Sequence, residues 1–525
     1  MQLIDQFCQK YQFERRALFW GLPTGVLFST SYPPFPAWAL FFAFAPLWIY
    51  WYRTPNLRNI FVSGFVAQFT FTFIGFNWIA HTATEYGHLP SVLSVLILVG
   101  FCLFASLNLV IAGLAAGYIK KKWPMGPTQF FFLVAILSGF ADRFYPMIFP
   151  WNSGYPLLFS HLRSAQLAEF IGFNLLGTLV YCANVPFALA YMKFPKKGWS
   201  TPLIIFVVGL FIFESLGTWA QNRVPKDDSK INALLVQPNI GNYDKFVAER
   251  GYGYQEPVVR KVLELTQSGL DQAKVKPDFI ILPETAYPAS LDPYFANVFY
   301  VKTLTDFISK AGVPLLAGAY SDDPPSSNEK KSYNGIFQID PGQPLKPGYR
   351  KHLLLAFGEY FPGADYFPFL KKLIPEISDF GRGIGPYKFQ IGGAELVPLI
   401  CYEGLDTSYV HDSLKLGGKI LLNVTNDSWF GKNFEPYQHM IMTVARTIEY
   451  RMPMIRVTNT GITAVANNKG EILLRGPQDV PWTAVAQVPY LNKPPQTIFY
   501  YIEPYVVFIF LGLLFLVLTS RRKFW

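Results

Sequence analysis

Apolar residues run in long stretches through the first 220 positions of the chain and again near its end, and only in short stretches between. A membrane span needs about 20 mostly apolar residues. On that rule helices are predicted near 17–31, 35–52, 60–81, 91–118, 128–147, 166–192, 201–220 and 498–519. The first is short, and Asp142 and Arg143 interrupt the fifth. From about 225 to 490 the pattern changes. Short β-branched runs recur at Ala233–Val236, Phe279–Leu282, Pro314–Ala317, Val397–Ile400, Ile420–Val424 and Met454–Val457. Helical segments such as Pro257–Lys274 and Tyr437–Tyr450 fall between some of them. Such alternation reads as an α/β domain with mostly buried strands. The expected organisation is a transmembrane bundle of about seven helices over 1–224, an α/β domain over 225–492, and a last transmembrane helix with a tail over 493–525. The sequence carries no visible internal repeat or low-complexity tract.

Composition agrees with lipid as part of the solvent. Hydrophobic residues make up 51% of the chain and charged residues 15%, where soluble domains average about 25% charged. The apolar run after Arg15 and Arg16 lacks a small-residue cleavage pattern and is followed by further runs, so it is not expected to be a cleaved signal peptide.

Charge then sets an orientation. Basic residues gather at Lys10, Arg15 and Arg16, at Arg53 and Arg58, at Lys120, Lys121 and Lys122, at Lys193, Lys196 and Lys197, and at Arg521, Arg522 and Lys523. The loops after the first and third spans carry none, and only the loop after the fifth breaks the alternation, with Arg143 and Arg163. Positive loops stay inside, so both termini are expected in the cytoplasm and the polar domain outside. Those clusters hold 14 basic residues against Asp5 and Glu14, a surplus larger than the whole net charge of +10. The basic balance is therefore a topology signal, and nucleic acid is not an expected partner.

Candidate chemistry is sparse. The cysteines are Cys8, Cys102, Cys182 and Cys401; no pair is placed for a disulfide and no Cys/His spacing suggests zinc. His81 and His88 flank an outer loop without a third ligand, so neither a metal nor another cofactor is expected. Cys401 ends an apolar run in Pro398-Leu399-Ile400-Cys401-Tyr402-Glu403. A lone cysteine there is more often a buried core residue than a nucleophile. Two features weigh the other way: Glu403 follows at once, and an unpaired thiol in an exported domain is a liability unless it is used. With a free pKa of about 8.5 a thiol is mostly protonated at neutral pH and needs a base. Glu284, in Ile280-Ile281-Leu282-Pro283-Glu284-Thr285, is a candidate, although Pro-Glu after a strand is also a common solvated turn. Lys351, in Gly348-Tyr349-Arg350-Lys351-His352, reads equally as an exposed charge. No spacing rule joins the three. Glu169, Glu214 and Glu503 lie in or near predicted spans, where acids are functional candidates by default.

The segments LLVQPNI (234–240), ILPETAYP (281–288), GYRKHLLLAFGEYFP (348–362), LICYEG (399–404) and TNDSWFG (425–431) occur in that order. Together they resemble the carbon–nitrogen hydrolase (nitrilase) superfamily. With the flanking spans, and with FPWNSGYP (149–156) and QHMIMTVARTIEYRMPMIRVTNTGITA (438–464), the chain resembles the apolipoprotein N-acyltransferase family along its length. The resemblance implies a nitrilase-like α-β-β-α sandwich on the extracytoplasmic face of a multi-span helical bundle in a bacterial inner membrane. It implies a triad of Glu284, Lys351 and Cys401, a second essential glutamate at Glu359, and supporting roles for Tyr402 and Glu403. Glu284 would be the base; Lys351 and the Tyr402 N–H would hold the oxyanion. Glu403 would orient either Lys351 or Tyr402. Asn426, Asp427 and Trp429 would shape the pocket, with Trp429 equally fit for the core. Two departures stand out: Lys245-Phe246 where the family usually has Lys-Trp, and Asp142-Arg143 where a spaced Glu and Arg are common. The implied reaction is ping-pong. Cys401 takes an acyl chain from a phospholipid such as phosphatidylethanolamine and passes it to the N-terminal diacylglyceryl-cysteine of an apolipoprotein, giving a triacylated lipoprotein. Alternatives are a membrane-anchored amidase or nitrilase with water as acceptor, and a transporter or receptor whose outer domain has lost activity.

Overall fold

A computed structural model of the chain describes residues 6, 9–85, 89–105, 107–241, 255–327, 330–360, 362, 363, 366, 367, 369 and 379–520. Cys8, His88, Lys245, Phe246 and the basic cluster at Arg521, Arg522 and Lys523 lie outside the described residues. The chain forms two compact units: one of 1–84, 89–224 and 497–525, the other essentially 225–496.

The first unit is helical. Among the described residues five helices are long and apolar enough to cross a membrane: Leu57–Gly75, Ser91–Lys122, Arg163–Lys193, Thr201–Asn222 and Ile498–Thr519. Three of the eight expected spans are not among them: the fifth is the 18-residue helix Pro127–Phe144, and the first two fall short. One is the 14-residue helix Arg16–Ser29 and the other the nine-residue helix Ala45–Arg53. At about 1.5 Å per residue neither reaches across a core of about 30 Å. Pro33, Pro34 and Pro36 lie in the non-helical stretch between them, where each lacks the N–H that a helix needs. The 14-residue helix is still held tightly. Gly21 and Gly25 sit one turn apart where a Cβ would come within 2.3 Å of the Ser63 carbonyl and 2.5 Å of the Ala67 carbonyl. Small residues at that spacing let two membrane helices approach closely.

The acids of this unit have local partners. The helix Pro127–Phe144 runs straight through Asp142 and Arg143. Asp142 is buried and accepts from Asn108 Nδ2 at 2.9 Å and the Tyr181 hydroxyl at 2.8 Å. Arg143 pairs with Glu503 at 2.8 Å. Glu214 accepts from the main-chain N–H groups of Arg163 at 2.7 Å and Ser164 at 3.2 Å, and Glu169 lies 3.5 Å from Arg223. Glu169, Glu214 and Glu503 thus tie helices and turns together within the unit, which is a sufficient reason for acids at these positions.

The second unit contains two six-stranded sheets. The strands are β1 (Ser229–Gln237), β2 (Phe279–Ser290), β3 (Leu315–Asp322), β4 (Ser332–Ile339), β5 (Tyr349–Arg350), β6 (Phe389–Ile391), β7 (Ala394–Ile400), β8 (Ile420–Thr425), β9 (Met454–Thr458), β10 (Ala464–Ala466), β11 (Ile472–Arg475) and β12 (Trp482–Tyr490). The first sheet has the order β12-β1-β2-β3-β4-β5 and the second β11-β10-β9-β8-β7-β6. In each, three parallel strands form the centre: β1, β2 and β3 in one, β7, β8 and β9 in the other. One antiparallel strand flanks each trio on one side, β12 or β6. Two flank it on the other, β4 and β5 or β10 and β11. The pairing scheme is therefore repeated, although the sequence carries no repeat.

The sheets face each other through β1, β2, β8 and β9, and helices cover the outer faces. The helix Gln255–Asp271 presents Val258, Val259, Val262, Thr266 and Gly269 inward, spaced to form one stripe. The helix Phe299–Ala311 buries Val301, Leu304 and Ile308 in the same way. On the second sheet, Thr407–Leu414 lies against β7. The helix Glu435–Tyr450 is buried along nearly its whole length, including Glu435, His439, Arg446 and Glu449. Its polar groups therefore need partners inside the protein.

Candidate active site

The middle of one strand, the ends of two others and one loop build the site. β2 carries Glu284 into an irregular stretch, where its pairing with β3 shifts after Leu282 and Thr285 has φ +44°. Gly318 on β3 makes room for it: a Cβ there would come within 2.0 Å of the Pro283 carbonyl and 2.9 Å of the Glu284 Cα. Lys351 follows β5 directly and is tied to β4 by its main-chain N–H, which donates to the Asn334 carbonyl at 2.8 Å. β7 ends at Ile400, and Cys401 opens the short 3₁₀ turn Cys401–Gly404 with φ +53°. A non-glycine residue in this region costs on the order of 1–3 kcal/mol and persists only where its surroundings hold it.

These side chains meet. Lys351 is 1% exposed and its Nζ lies 2.8 Å from a Glu359 carboxylate oxygen and 3.5 Å from Glu284 Oε1. Asn334 Nδ2 donates to Glu284 Oε1 at 2.6 Å and to Glu359 Oε1 at 3.2 Å. The Leu355 N–H fixes the other Glu359 oxygen at 2.8 Å. Burial alone would push the Lys351 ammonium down. Glu359, Glu284 and Cys401 outweigh it and hold its pKa above the ordinary lysine range, so Lys351 is a permanent cation here. The Cys401 thiol goes the other way. Burial, and then the Glu284 charge beside it, push its pKa well above the ordinary value despite Lys351 and a hydrogen bond with Thr425. The resting nucleophile is thus a thiol, not a preformed thiolate, and its proton must leave as it reacts.

Glu403 is fully buried and accepts four hydrogen bonds. The donors are the Ile400 N–H at 2.7 Å, the His352 N–H at 2.7 Å, the Leu353 N–H at 3.1 Å and the Tyr349 hydroxyl at 2.7 Å. Burial raises its pKa, with Lys351 and these donors acting against the rise. Glu403 thus bonds the main chain just after Lys351 and the end of β7. Tyr402 is held elsewhere: its hydroxyl donates to Glu435 Oε1 at 2.8 Å and its ring stacks on His439 at 4.8 Å.

Asn426 is buried and accepts from Asn459 Nδ2 at 2.9 Å, and Asn459 in turn bonds both main-chain groups of Ile240. It braces the strand ends and is not among the groups bonded to Glu284, Lys351 or Glu359 in the described residues. Trp429 is half-buried. Asp427 belongs to a polar network with His439 at 3.0 Å and Arg456 at 2.8 Å. Asp427, Glu435 and His439 offer three ligand atoms within 4.8 Å of one another. The Arg456 guanidinium already supplies a positive charge there, and Tyr402 occupies a Glu435 oxygen.

Sequence reasoning does not single out Asn334, Asn423 or Arg456. For Arg456 a signal was available: a charge inside the fully buried strand Met454–Thr458 must be paired. An asparagine within a strand carries no comparable mark.

Comparison with known proteins follows the same division. Residues 24–186 match the family model of the apolipoprotein N-acyltransferase N-terminal domain, and residues 235–490 match that of the carbon-nitrogen hydrolases. An apolipoprotein N-acyltransferase of Bdellovibrio bacteriovorus is 39% identical over 507 residues, covering 95% of this chain and 92% of that one. That of Geobacter metallireducens is 27% identical over 469 residues, covering 87% and 86%. That of Shewanella oneidensis is 26% identical over 537 residues, covering 98% of each. With its buried Glu–Lys–Cys arrangement in a carbon–nitrogen hydrolase domain, and helices fit for a membrane at both ends, the chain belongs to the apolipoprotein N-acyltransferase family.

Proposed function

We propose that the protein moves an acyl chain from a membrane phospholipid, such as phosphatidylethanolamine, to the N-terminal amine of a diacylglyceryl-cysteine apolipoprotein. The supporting observation is the buried Lys351 cation set between Glu284 and Glu359 beside the strained Cys401 turn. In the first half-reaction Glu284 takes the Sγ proton as Sγ attacks the ester carbonyl. Lys351 and the Tyr402 N–H stabilise the oxyanion. Collapse expels the lysophospholipid alkoxide, which takes the proton back from Glu284 and leaves an acyl thioester. In the second half-reaction the acceptor amine attacks the thioester, Glu284 takes its proton and returns it to the departing sulfur, and an amide remains. Both substrates are lipids. A catalytic domain joined at each end to apolar helices stays at the surface where they are found.

The thioester is the testable species, because a ping-pong enzyme must persist in that form between substrates. Protein incubated with phospholipid alone is expected to gain one acyl chain by intact mass. Neutral hydroxylamine removes the adduct, and Cys401→Ser gives no thioester. A variant with Cys8, Cys102 and Cys182 all changed to Ala keeps it. A diacylated lipopeptide with a free amine discharges the adduct, and an N-acetylated one does not. Fatty acid released at the same rate with or without lipopeptide would instead mean a hydrolase.

We also propose that both termini face the cytoplasm and the 225–496 unit faces outward. The two basic residues that break the alternation are engaged locally. Arg143 is paired with Glu503, and Arg163 bonds Gln221 through its guanidinium and Glu214 through its N–H. Reporter fusions after residue 122 or 198 are expected to read as cytoplasmic and fusions within 230–490 as external. A cytoplasmic reading for the latter would overturn the orientation.

A further inference from the structure

The strained turn at Cys401 has a second support besides Glu403, on the opposite side of the strand. Asn423, fully buried in the middle of β8, uses its Nδ2 to donate to two carbonyls, those of Leu399 and Cys401, each at 3.1 Å. These carbonyls lie on either side of Ile400, so one amide grips both the end of β7 and the residue that leaves it. The amide is itself fixed, because its Oδ1 accepts from Arg456 Nη1 at 2.5 Å. Arg456 Nη2 reaches Asp427 Oδ2 at 2.8 Å, and Asp427 Oδ1 faces His439 Nδ1 at 3.0 Å. His439 then stacks beneath the Tyr402 ring, the residue after the nucleophile. The chain of contacts therefore leaves the Cys401 carbonyl and returns to the next residue through a closed, buried ring.

Burial would raise the Asp427 pKa, but Arg456 and His439 reverse it and hold the carboxyl below its usual range. Burial and the Arg456 charge push His439 down, so the imidazole is neutral. Burial and the Asp427 charge push the Glu435 pKa up. Arg456 and Asp427 form an ion pair at 2.8 Å inside this ring.

We infer that Asn423 and Arg456 are positioning residues for the nucleophile: together they hold the Cys401 carbonyl, and through it the left-handed turn that aims the sulfur. The inference rests on Cys401 being the acyl-carrying residue. Asn423 acts on the main chain and not on substrate, so its loss should slow acylation without weakening phospholipid binding.

The test is single-turnover acylation of the full-length protein in phosphatidylethanolamine-containing vesicles, followed by intact mass at several phospholipid fractions. Asn423→Asp keeps the size and keeps a partner for Arg456, but sets an acceptor against two carbonyls. Its acylation rate constant is expected to fall by about 10²-fold, the scale of a roughly 1 Å misplacement. The half-saturating phospholipid fraction and the melting temperature should stay near wild type. Arg456→Lys keeps the charge beside Asp427 but not the two-pronged fork, and should show a smaller loss of the same kind. Where Asn423→Asp does not fold, Arg456→Lys carries the test alone. Acylation at the wild-type rate in the folded variants would overturn the inference. So would a loss that appears equally in half-saturation and melting temperature, since that marks a general structural role. If wild-type protein itself forms no adduct on Cys401, it is the acyl-transfer reading that fails, and the two failures are thereby told apart.

Discussion

Lys351→Met is expected to reduce acyl-enzyme formation by about 10³-fold or more. Removing one preorganised donor to an oxyanion costs roughly 10²–10³ in rate, and here the same side chain also serves two acids. Lys351 is the cation between Glu284 and Glu359, at 3.5 and 2.8 Å. Methionine fills a similar volume but leaves two carboxylates in one buried pocket with no counter-charge. Breaking a buried pair in this way typically costs 3–5 kcal/mol, or the acids take up protons and Glu284 ceases to be a base. Both routes predict a second signature, a lowered melting temperature at neutral pH that recovers as the pH falls and the two acids are protonated. Lys351→Arg should be nearly as inactive, because a planar fork on a longer stem does not fit the site of a single ammonium. Adduct formation at close to the wild-type rate in Lys351→Met would remove Lys351 from the chemistry.

Glu284→Gln should lower the first acyl transfer by about 10²–10⁴-fold, the usual contribution of a general base. The amide keeps an oxygen for Asn334, whose bond to Glu284 is the shortest in the site at 2.6 Å, so the fold should tolerate it. The informative measurement is the pH profile. Burial first, and then the Glu284 charge, push the Cys401 pKa above the ordinary thiol value, and in the variant burial and Glu359 still act in that direction. Without its base the enzyme depends on the small fraction of thiolate already present. Below the thiol pKa that fraction grows about tenfold per pH unit, so residual activity in Glu284→Gln should climb by about 100-fold between pH 7 and 9. Wild-type activity should be much flatter there, because Glu284 takes the proton within the reaction. A flat profile in the variant, or acylation at the normal rate, would assign the base to another group, with Glu359 next in line.

The two sheets were legible in sequence to different depths, for a physical reason. The six β-branched runs correspond to β1, β2, β3, β7, β8 and β9, the two parallel trios. Parallel strands are covered on both faces, so they read as continuous apolar runs. The remaining six strands are the antiparallel flanks. β11 is largely exposed and β5 has two residues, too little burial or length to imprint a pattern. The short helices at the start of the chain misled in the opposite direction. Apolar composition continues through Pro33, Pro34 and Pro36 where helical geometry does not, so hydrophobicity alone overstates the spans. At the site, no spacing links Glu284, Lys351 and Cys401, because strand order and not sequence distance brings them together. Resemblance to a family bridged that gap. It gave no account of Asn334 or Asn423, whose importance lies in which carboxylates and carbonyls they meet.

The matching strand schemes of the two sheets have a consequence for how the enzyme can fail. If the sheets are laid over one another by pairing scheme, β2 corresponds to β8 and β1 to β7. Glu284 lies midway along β2, and its counterpart Thr425 ends β8; Cys401 follows β7, and its counterpart Pro238 follows β1. Equivalent places hold unlike residues, so neither half is a reduced version of the whole. The stretch from Ser229 to Lys351 owns an acid and an ammonium but no sulfur to activate. The stretch from Phe389 to Arg475 owns the sulfur but none of Glu284, Lys351 and Glu359. Reactivity is thus a property of the seam. Mild heating or denaturant that loosens one sheet from the other should silence the chemistry while each sheet still gives its full circular-dichroism signal.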